Sequence, residues 1–348
     1  MTHNNLFHEP VLKKEILALL LFKKARTVFD GTVGLGGHAE AILQEFPEVS
    51  TYIACDLDAQ HLEFARKRLN KWKEKTFFYH QNFAQLKDVL NEEIKRPLVI
   101  LLDLGLCSHH VDDSSKGFSF SEDGPLSMAF DSTSTLTCAN ILNKAPEQEL
   151  INILREYGEE PSARKIVSRI VSFREEKEFK TTFDLRSVVE ESIHPKDRRK
   201  SLMRVFQAFR IAVNDELNIL KKTVETALEV MNSGDRMGVI SYHSLEDRII
   251  KRLFTLHSRP ETIETDKSLH TEITPAKFSL ITRKPVIPAN EEIENNPRSR
   301  SAKLRILEKI GILFITQLQM VTEGLRPESQ LIIILLGLYE GEFCFPWY

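Results

Sequence analysis

Apolar and polar positions fall into alternating blocks over the first hundred residues. Short apolar runs at 27–30, 51–56, 77–80 and 98–103 predict strands. Between them apolar residues recur at helical spacing, which predicts helices over 13–21, 38–46, 59–72 and 83–94. Strand and helix alternating at this spacing implies parallel strands joined by helical crossovers. The run Leu98-Val99-Ile100-Leu101-Leu102 has no polar alternation, as expected of a strand covered on both faces.

The pattern changes from Val111 to Arg204, where no convincing core strand appears. Pro146, Glu147 and Glu149 mark a helix start, and Gly158 a stop. Helical spacing continues through Ile166, Ile170 and Phe173. Thr181 and Asp184 have capping-box spacing ahead of another helix. Residues 111–204 therefore read as a helical domain inserted into an α/β domain formed by 1–110 and 205–310. In its second half the α/β pattern predicts a helix over 215–231, with Leu217, Leu220, Val224 and Leu228 on one face. A strand over 236–241, a helix over 245–256 and strands over 278–282 and 303–307 complete it. The polar stretch 259–276 reads as a loop. The tail 311–348 falls outside the rhythm and carries no functional reading.

Size and composition narrow the class. The chain has 348 residues, 42% hydrophobic and 28% charged, which fits a soluble globular protein with a sizeable core. Its formal net charge of −3 gives no global positive field, so a nucleic-acid partner would have to meet locally concentrated basic residues. The cysteines Cys55, Cys107, Cys138 and Cys344 form no C-x-x-C pair, so neither a zinc site nor a disulfide framework is expected. The N-terminus lacks the pattern of a signal peptide. The apolar run 331–336 is far short of the roughly 20 residues that span a bilayer. A reducing cytoplasmic setting fits best.

The most informative stretch is Val28-Phe29-Asp30-Gly31-Thr32-Val33-Gly34-Leu35-Gly36-Gly37-His38. Its glycines let a ligand lie against bare backbone. Open α/β sheets bind ligands at the carboxyl ends of their strands, where this loop sits. Asp56 ends the second strand, where a carboxylate can accept from both ribose hydroxyls of a nucleoside. Phe83 follows the third strand and offers a face for adenine. Asp103 ends the fourth. The string Gly34-Leu35-Gly36-Gly37-His38-Ala39 also satisfies the dinucleotide pattern G-x-G-x-x-A, which alone is weak. Asp30 discriminates: a carboxylate there repels a pyrophosphate but accepts from the α-ammonium of S-adenosylmethionine. An NAD-dependent oxidoreductase stays open at this point, though no hydride-transfer site is evident downstream. Singly, the glycines suit a tight turn, Asp56 a helix cap, Phe83 the core and His38 a local cap.

Longer strings then resemble one family. They are His8-Glu9-Pro10-Val11-Leu12, Asp103-Leu104-Gly105-Leu106-Cys107-Ser108, Gly117-Phe118-Ser119-Phe120, Asp123-Gly124-Pro125-Leu126-Ser127-Met128, Phe206 to Leu217, Ile240 to Arg248, and Pro297 to Arg305. Over residues 6 to 309 the chain resembles the bacterial small-subunit ribosomal RNA methyltransferase H (MraW) family. The resemblance implies a class I, Rossmann-like fold with a mostly parallel sheet, and S-adenosylmethionine-dependent methylation of cytosine N4 in the decoding region of 16S rRNA. It carries cofactor contacts onto Gly36, Gly37, His38, Asp56, Phe83 and Asp103. A further contact, a glutamine in the family's Ser-Ser-Pro-Gln string, falls on His110, because the string here reads Cys107-Ser108-His109-His110. The family usually ends soon after the Ser-Ala-Lys-Leu-Arg string, so the tail is a departure.

The chemistry asks chiefly for positioning: a delocalised exocyclic amine must be held in line with a sulfonium methyl. An acceptor near the amine helps as positive charge develops on nitrogen. Asp103 and the backbone carbonyls of Leu104 to Leu106 lie where that acceptor is wanted; Asp103 is expected to orient the cofactor or the amine, and the loop through Ser108 to shape the base pocket. No metal is required. RNA contacts are expected from the basic stretch Lys196, Arg198, Arg199, Lys200, Arg204 and Arg210, with a second basic group at Arg298, Arg300, Lys303 and Arg305; a solvated helix face is the alternative reading. His243 and Arg248 follow the fifth strand as further candidates, while Ser244 and Asp247 have capping-box spacing. Phe206 and Phe209 read as core. A DNA amino-methyltransferase and a non-catalytic ribosome-assembly factor are the alternatives, the second encouraged only by the altered 107–110 loop.

Overall fold

The computed structural model describes residues 9–20, 25–90, 94–106, 113–131, 133–264 and 271–311. The expectations for Cys107, Ser108, His109, His110 and the tail beyond 311 lie outside the described residues.

Seven strands form one sheet. They are β1 (Thr27–Asp30), β2 (Thr51–Asp56), β3 (Thr76–His80), β4 (Leu98–Asp103), β5 (Arg236–Ser241), β8 (Phe278–Leu280) and β9 (Lys303–Lys309). A separate antiparallel pair, β6 (Glu261–Glu264) and β7 (Thr271–Thr274), completes the set. The sheet runs β3-β2-β1-β4-β5-β9-β8. Strands β1 to β5 pair in parallel, and β9 runs antiparallel to both β5 and β8. One reversed strand inserted beside β5 in this order is the class I methyltransferase fold.

Alternation along each strand builds two apolar layers. One face carries Val28, Tyr52, Leu101, Ile240 and Leu304 against Leu12, Ile16 and Ile42. The other carries Phe29, Ile100, Leu102, Val239 and Leu307 against Leu220, Val224 and Phe254. Both faces being covered explains the unbroken apolar run of β4, whose residues Leu98 to Leu102 are all fully buried.

A third core lies apart from the sheet, built by Phe118, Leu126 and helices Cys138–Lys144, Glu147–Glu156, Ala163–Glu176, Thr182–Ser192 and Arg198–Asn214. Thr181 opens the fourth of these with a capping box, as its spacing predicts. Phe206 and Phe209 are buried in this core. Within it, Asn214 Nδ2 donates to Met128 O at 2.7 Å and Asn214 Oδ1 accepts from Phe130 N, which binds the segment 126–130 to the last helix. An ion pair ties this core to the sheet. Lys116 pairs with Asp58, just beyond β2.

Several elements differ from expectation. The first helix is a turn over Lys13–Glu15 followed by a π-helical Ile16–Leu20, which buries Ile16 and Leu20. The helix expected over 83–94 is a 3₁₀ turn, Phe83–Gln85, and a short helix, Leu86–Val89. The polar stretch 259–276 contains β6 and β7, because Thr262, Ile263, Thr271 and Ile273 bring β-branched residues to a polar segment. Among the described residues no helix is long and apolar enough to cross a membrane.

Candidate methyl-donor and base site

The register of the sheet brings the strand-end groups together. Asp30 pairs across to Ala54 on one side and Leu101 on the other. Asp56 and Asp103 therefore lie two residues beyond those partners, one pleat period further along flanking strands. The glycine loop closes over this edge. Gly31 N donates to Leu101 O at 3.0 Å and Val33 N to Cys55 O at 2.9 Å. Gly36 sits at φ +80° as the cap of helix Gly37–Glu45, a backbone state that a side chain would strain. A Cβ on Gly31 would lie 2.5 Å from Leu102 Cδ2 and 2.7 Å from Phe83 Cβ. That glycine is what lets Phe83 close against the loop.

Asp56 holds the loop from below. Its Oδ2 accepts from Gly34 N at 2.8 Å and its Oδ1 from Asp58 N at 2.8 Å. Each oxygen keeps a second lone pair for a ligand hydroxyl. Asp103 sits between two side chains. Tyr242 Oη donates to Asp103 Oδ1 at 2.8 Å, and His38 Nε2 lies 3.6 Å from Asp103 Oδ2. The Asp103 amide donates to Thr32 Oγ1 at 2.7 Å, which fixes the end of β4 to the glycine loop. Burial pushes the Tyr242 hydroxyl well above its ordinary pKa, and the Asp103 carboxylate adds to this. Tyr242 therefore stays a donor across the physiological range.

Asp30 departs from its expected role. It is 2% exposed, and its oxygens receive the Tyr52 hydroxyl at 2.8 Å and the Thr32 amide at 3.2 Å. Burial raises its pKa to about 6, against the lowering effect of Tyr52. It braces the loop from inside the sheet, and its carboxyl is not an open acceptor for a ligand ammonium.

Two buried polar atoms at this edge have no hydrogen-bond partner among the described residues: His38 Nε2 and Gln81 Oε1. Such atoms are costly unless something satisfies them. A nucleoside-bearing sulfonium fits the donor set. Asp56 suits ribose hydroxyls, Phe83 an adenine face, Gln81 Oε1 an exocyclic amine, and the carboxylates Asp56 and Asp103 a cation. The same acids make the site hostile to a pyrophosphate.

The basic candidates separate. Arg210 is not a phosphate contact, because its Nε and Nη2 donate to Glu216 Oε1 and Oε2 at 2.7 and 2.8 Å, with both side chains nearly buried. Arg248 Nη2 donates to Glu159 Oε1 at 3.0 Å and Arg204 Nη1 lies 3.8 Å from Glu160 Oε2, so two further candidates face acids of the helical core. Arg198 donates to Ile193 O. Arg199, Lys200, Arg298 and Arg300 are exposed. Arg305 is buried against Asp247, with Nε to Oδ1 at 2.7 Å.

The capping box after β5 is one residue earlier than its expected place. His243 is the cap, and Glu246 Oε2 accepts from the Tyr242 and His243 amides at 2.9 and 3.2 Å. Asp247 is instead committed to Arg305. Glu216, His243 and Glu246 bring ligand atoms within 4.8 Å of one another, and both oxygens of Glu216 already accept from the Arg210 guanidinium. Tyr242 was not singled out from sequence; its position one residue past the end of β5 was the available signal.

Residues 5–310 match the family described as the MraW methylase family. A protein of Halothermothrix orenii named ribosomal RNA small subunit methyltransferase H is 40% identical over 307 residues, covering 87% of this chain and 98% of that protein. One of the same name from Chlorobium chlorochromatii is 38% identical over 323 residues, covering 89% and 98%. Among solved structures, an rRNA methylase from Streptococcus thermophilus aligns with a TM-score of 0.38 at 12% identity, over 86% of this chain and 95% of that one.

Proposed function

The chain belongs to the MraW methylase family, and from that membership we propose that it methylates the N4 amine of a cytidine in the decoding region of 16S rRNA, in the small ribosomal subunit and in the cytoplasm. It is an S-adenosylmethionine-dependent methyltransferase. The observation that carries the reading is the Asp103 carboxylate, held by Tyr242 at the strand edge beside the unsatisfied Nε2 of His38.

S-adenosylmethionine, when bound, supplies a methyl group on a positively charged sulfur. Asp56, Phe83, Gln81 and the loop through Gly34, Gly36 and Gly37 are the residues that would hold it. Asp103 accepts a hydrogen bond from the target N–H. This localises the nitrogen lone pair and stabilises the positive charge that develops there. Tyr242 occupies Oδ1, which leaves Oδ2 as the oxygen turned to the amine and to His38. The proton lost by the amine passes to Asp103 Oδ2, with His38 Nε2 as the next acceptor. A base inside folded RNA must be extruded to reach this edge, and the helical core is the part of the chain to which we assign the grip on the displaced strand.

The test is radiolabelled methyl transfer to free 16S rRNA, to small subunits lacking the modification and to duplex DNA, followed by nucleoside analysis. N4-methylcytidine in the ribosomal substrates alone is expected. Tight binding of S-adenosylmethionine without transfer to any of the three overturns the reading in favour of a non-catalytic assembly factor.

A further inference from the structure

A cavity of about 220 Å³ is lined by Tyr242, His243 and Ser244, which follow β5, and by none of the glycine loop. Ile287, Pro288 and Ile293 line it as well, with Ala302 and Lys303 at the start of β9 and the exposed Arg300. Three features of it have no place in the scheme above. Ile287 is 64% exposed, although the segment carrying it is firmly held. Val286 N and O bond to Leu304 O and N at 2.9 and 2.8 Å, so the wall is fixed on the sheet edge. No carboxylate lines the cavity; Asp247 is held mainly by Arg305 at 2.7 Å and lies 3.6 Å from Lys303 Nζ. Arg300 is exposed and has no ion-pair partner among the described residues.

A rigid apolar slot with the unpaired guanidinium of Arg300 and the loosely paired Lys303 at its mouth is matched by one kind of occupant: a base with its phosphate. The flat faces of Tyr242 and Pro288 and the side chain of Ile287 suit stacking, which is tolerant of base identity, and the cations suit a phosphodiester. The occupant is not the methylated base itself. Tyr242 lines the cavity with its ring and spends its hydroxyl on Asp103, so the ring stands between the slot and the acceptor. We propose that this cavity is a subsite for a single-stranded ribonucleotide flanking the target cytidine, with its base against Ile287, Pro288 and Tyr242 and its phosphate on Arg300 and Lys303. The proposal rests on the RNA methyltransferase reading. It gives Tyr242 two faces: one orients Asp103 and the other registers the neighbouring nucleotide, so that seating the flank places the extruded base.

The test is binding of a fluorescein-labelled decoding-region RNA to the full chain, followed by anisotropy, with methyl transfer to the same RNA measured in parallel. Ile287→Ser and Arg300→Gln each change an exposed side chain, and S-adenosylmethionine affinity by calorimetry reports whether the fold is kept. Each variant is expected to weaken RNA binding about tenfold. An abasic nucleotide at one of the two positions flanking the cytidine is expected to weaken wild-type binding similarly, and to add little on top of Ile287→Ser. RNA binding unchanged in both variants overturns the subsite, as does an abasic loss that adds in full at both flanks. Wild-type protein that shows these losses but transfers no methyl supports the subsite and counts against the methyltransferase reading alone.

Discussion

Tyr242 Oη donates to Asp103 Oδ1 at 2.8 Å, joining the last residue of β4 to the first residue beyond β5 across 139 positions of sequence. The bond fixes which carboxylate oxygen is left for the substrate. Tyr242→Phe keeps the ring and removes the donor. Hydrogen bonds to a charged group are worth about 1.5–3 kcal/mol. The expected outcome is a single-turnover methylation rate lowered about tenfold or more, with S-adenosylmethionine affinity within roughly twofold of wild type. An unchanged rate in rapid-quench assays would remove Tyr242 from the positioning role.

Gly31→Ala tests the closure of the loop on Phe83. The new Cβ would lie 2.7 Å from Phe83 Cβ, an atom fixed to the backbone that cannot swing aside as a side-chain tip can. Overpacking of this kind costs about 1–3 kcal/mol. Phe83 is displaced from the position in which it would meet an adenine. Calorimetry is expected to show S-adenosylmethionine bound about tenfold more weakly, alongside a lowered melting temperature. Affinity equal to wild type would exclude Phe83 as a platform.

These two sites differ in how far sequence reveals them. The strand ends Asp56 and Asp103 and the glycine loop are legible because each sits at the end of a buried apolar run, where the fold class places ligands. Tyr242 is not, because its significance depends on a partner in another strand. Asp30 is half legible: the acid and its place before the loop are evident, but the Tyr52 hydroxyl that claims it comes from the next strand. Arg210 looks like part of a nucleic-acid surface along the chain because its carboxylate partner, Glu216, belongs to another element. The capping box after β5 shifts by one residue because Asp247 is drawn to Arg305, leaving Glu246 to serve the amides. Periodicity reports which face is buried; it carries no information on which polar groups meet across elements.

Asp30 gives a pH dependence with a definite sign. Burial raises its pKa from 3.8 to about 6 in the folded protein. Between these values the folded state holds a proton that the unfolded state has released. Its stabilising contribution is therefore full below about pH 4 and is lost as pH rises through about 6, a change of roughly 3 kcal/mol. Asp184, Glu246 and Asp247 have lowered pKa values and act in the opposite direction, so the wild-type profile alone does not isolate Asp30. Asp30→Asn retains an acceptor for Tyr52 and Thr32 but cannot ionise. Relative to wild type, its stability is expected to gain about 3 kcal/mol between pH 4 and pH 7 in urea titrations. Parallel profiles for the two proteins would show that Asp30 does not titrate in this window.

Arg210 and Glu216 form the ionic joint between the helical core and the sheet. Arg210 belongs to the last helix of that core, and Glu216 opens the next helix, packed on the sheet layer. Between them Asp215 turns the chain at φ +49°. The pair is bidentate and nearly buried, with Glu246 as a third charge close by. Burial alone would push the Glu246 carboxyl up, but His243, Arg210 and the Tyr242 amide outweigh it and hold its pKa below the ordinary value. Arg210→Met leaves two buried carboxylates facing each other without a cation, which costs about 3–5 kcal/mol. Glu216→Met leaves the guanidinium with Glu246 alone and is expected to cost less. The double variant replaces the pair by apolar volume, so its cost should fall well short of the sum of the two single costs. Because Glu246 also holds the Tyr242 amide, Arg210→Met is expected to lower the methylation rate of the fraction that remains folded, while Glu216→Met does so less. Urea unfolding of the three variants measures the coupling directly, and strictly additive costs would show that the two residues stabilise their own helices independently and form no joint.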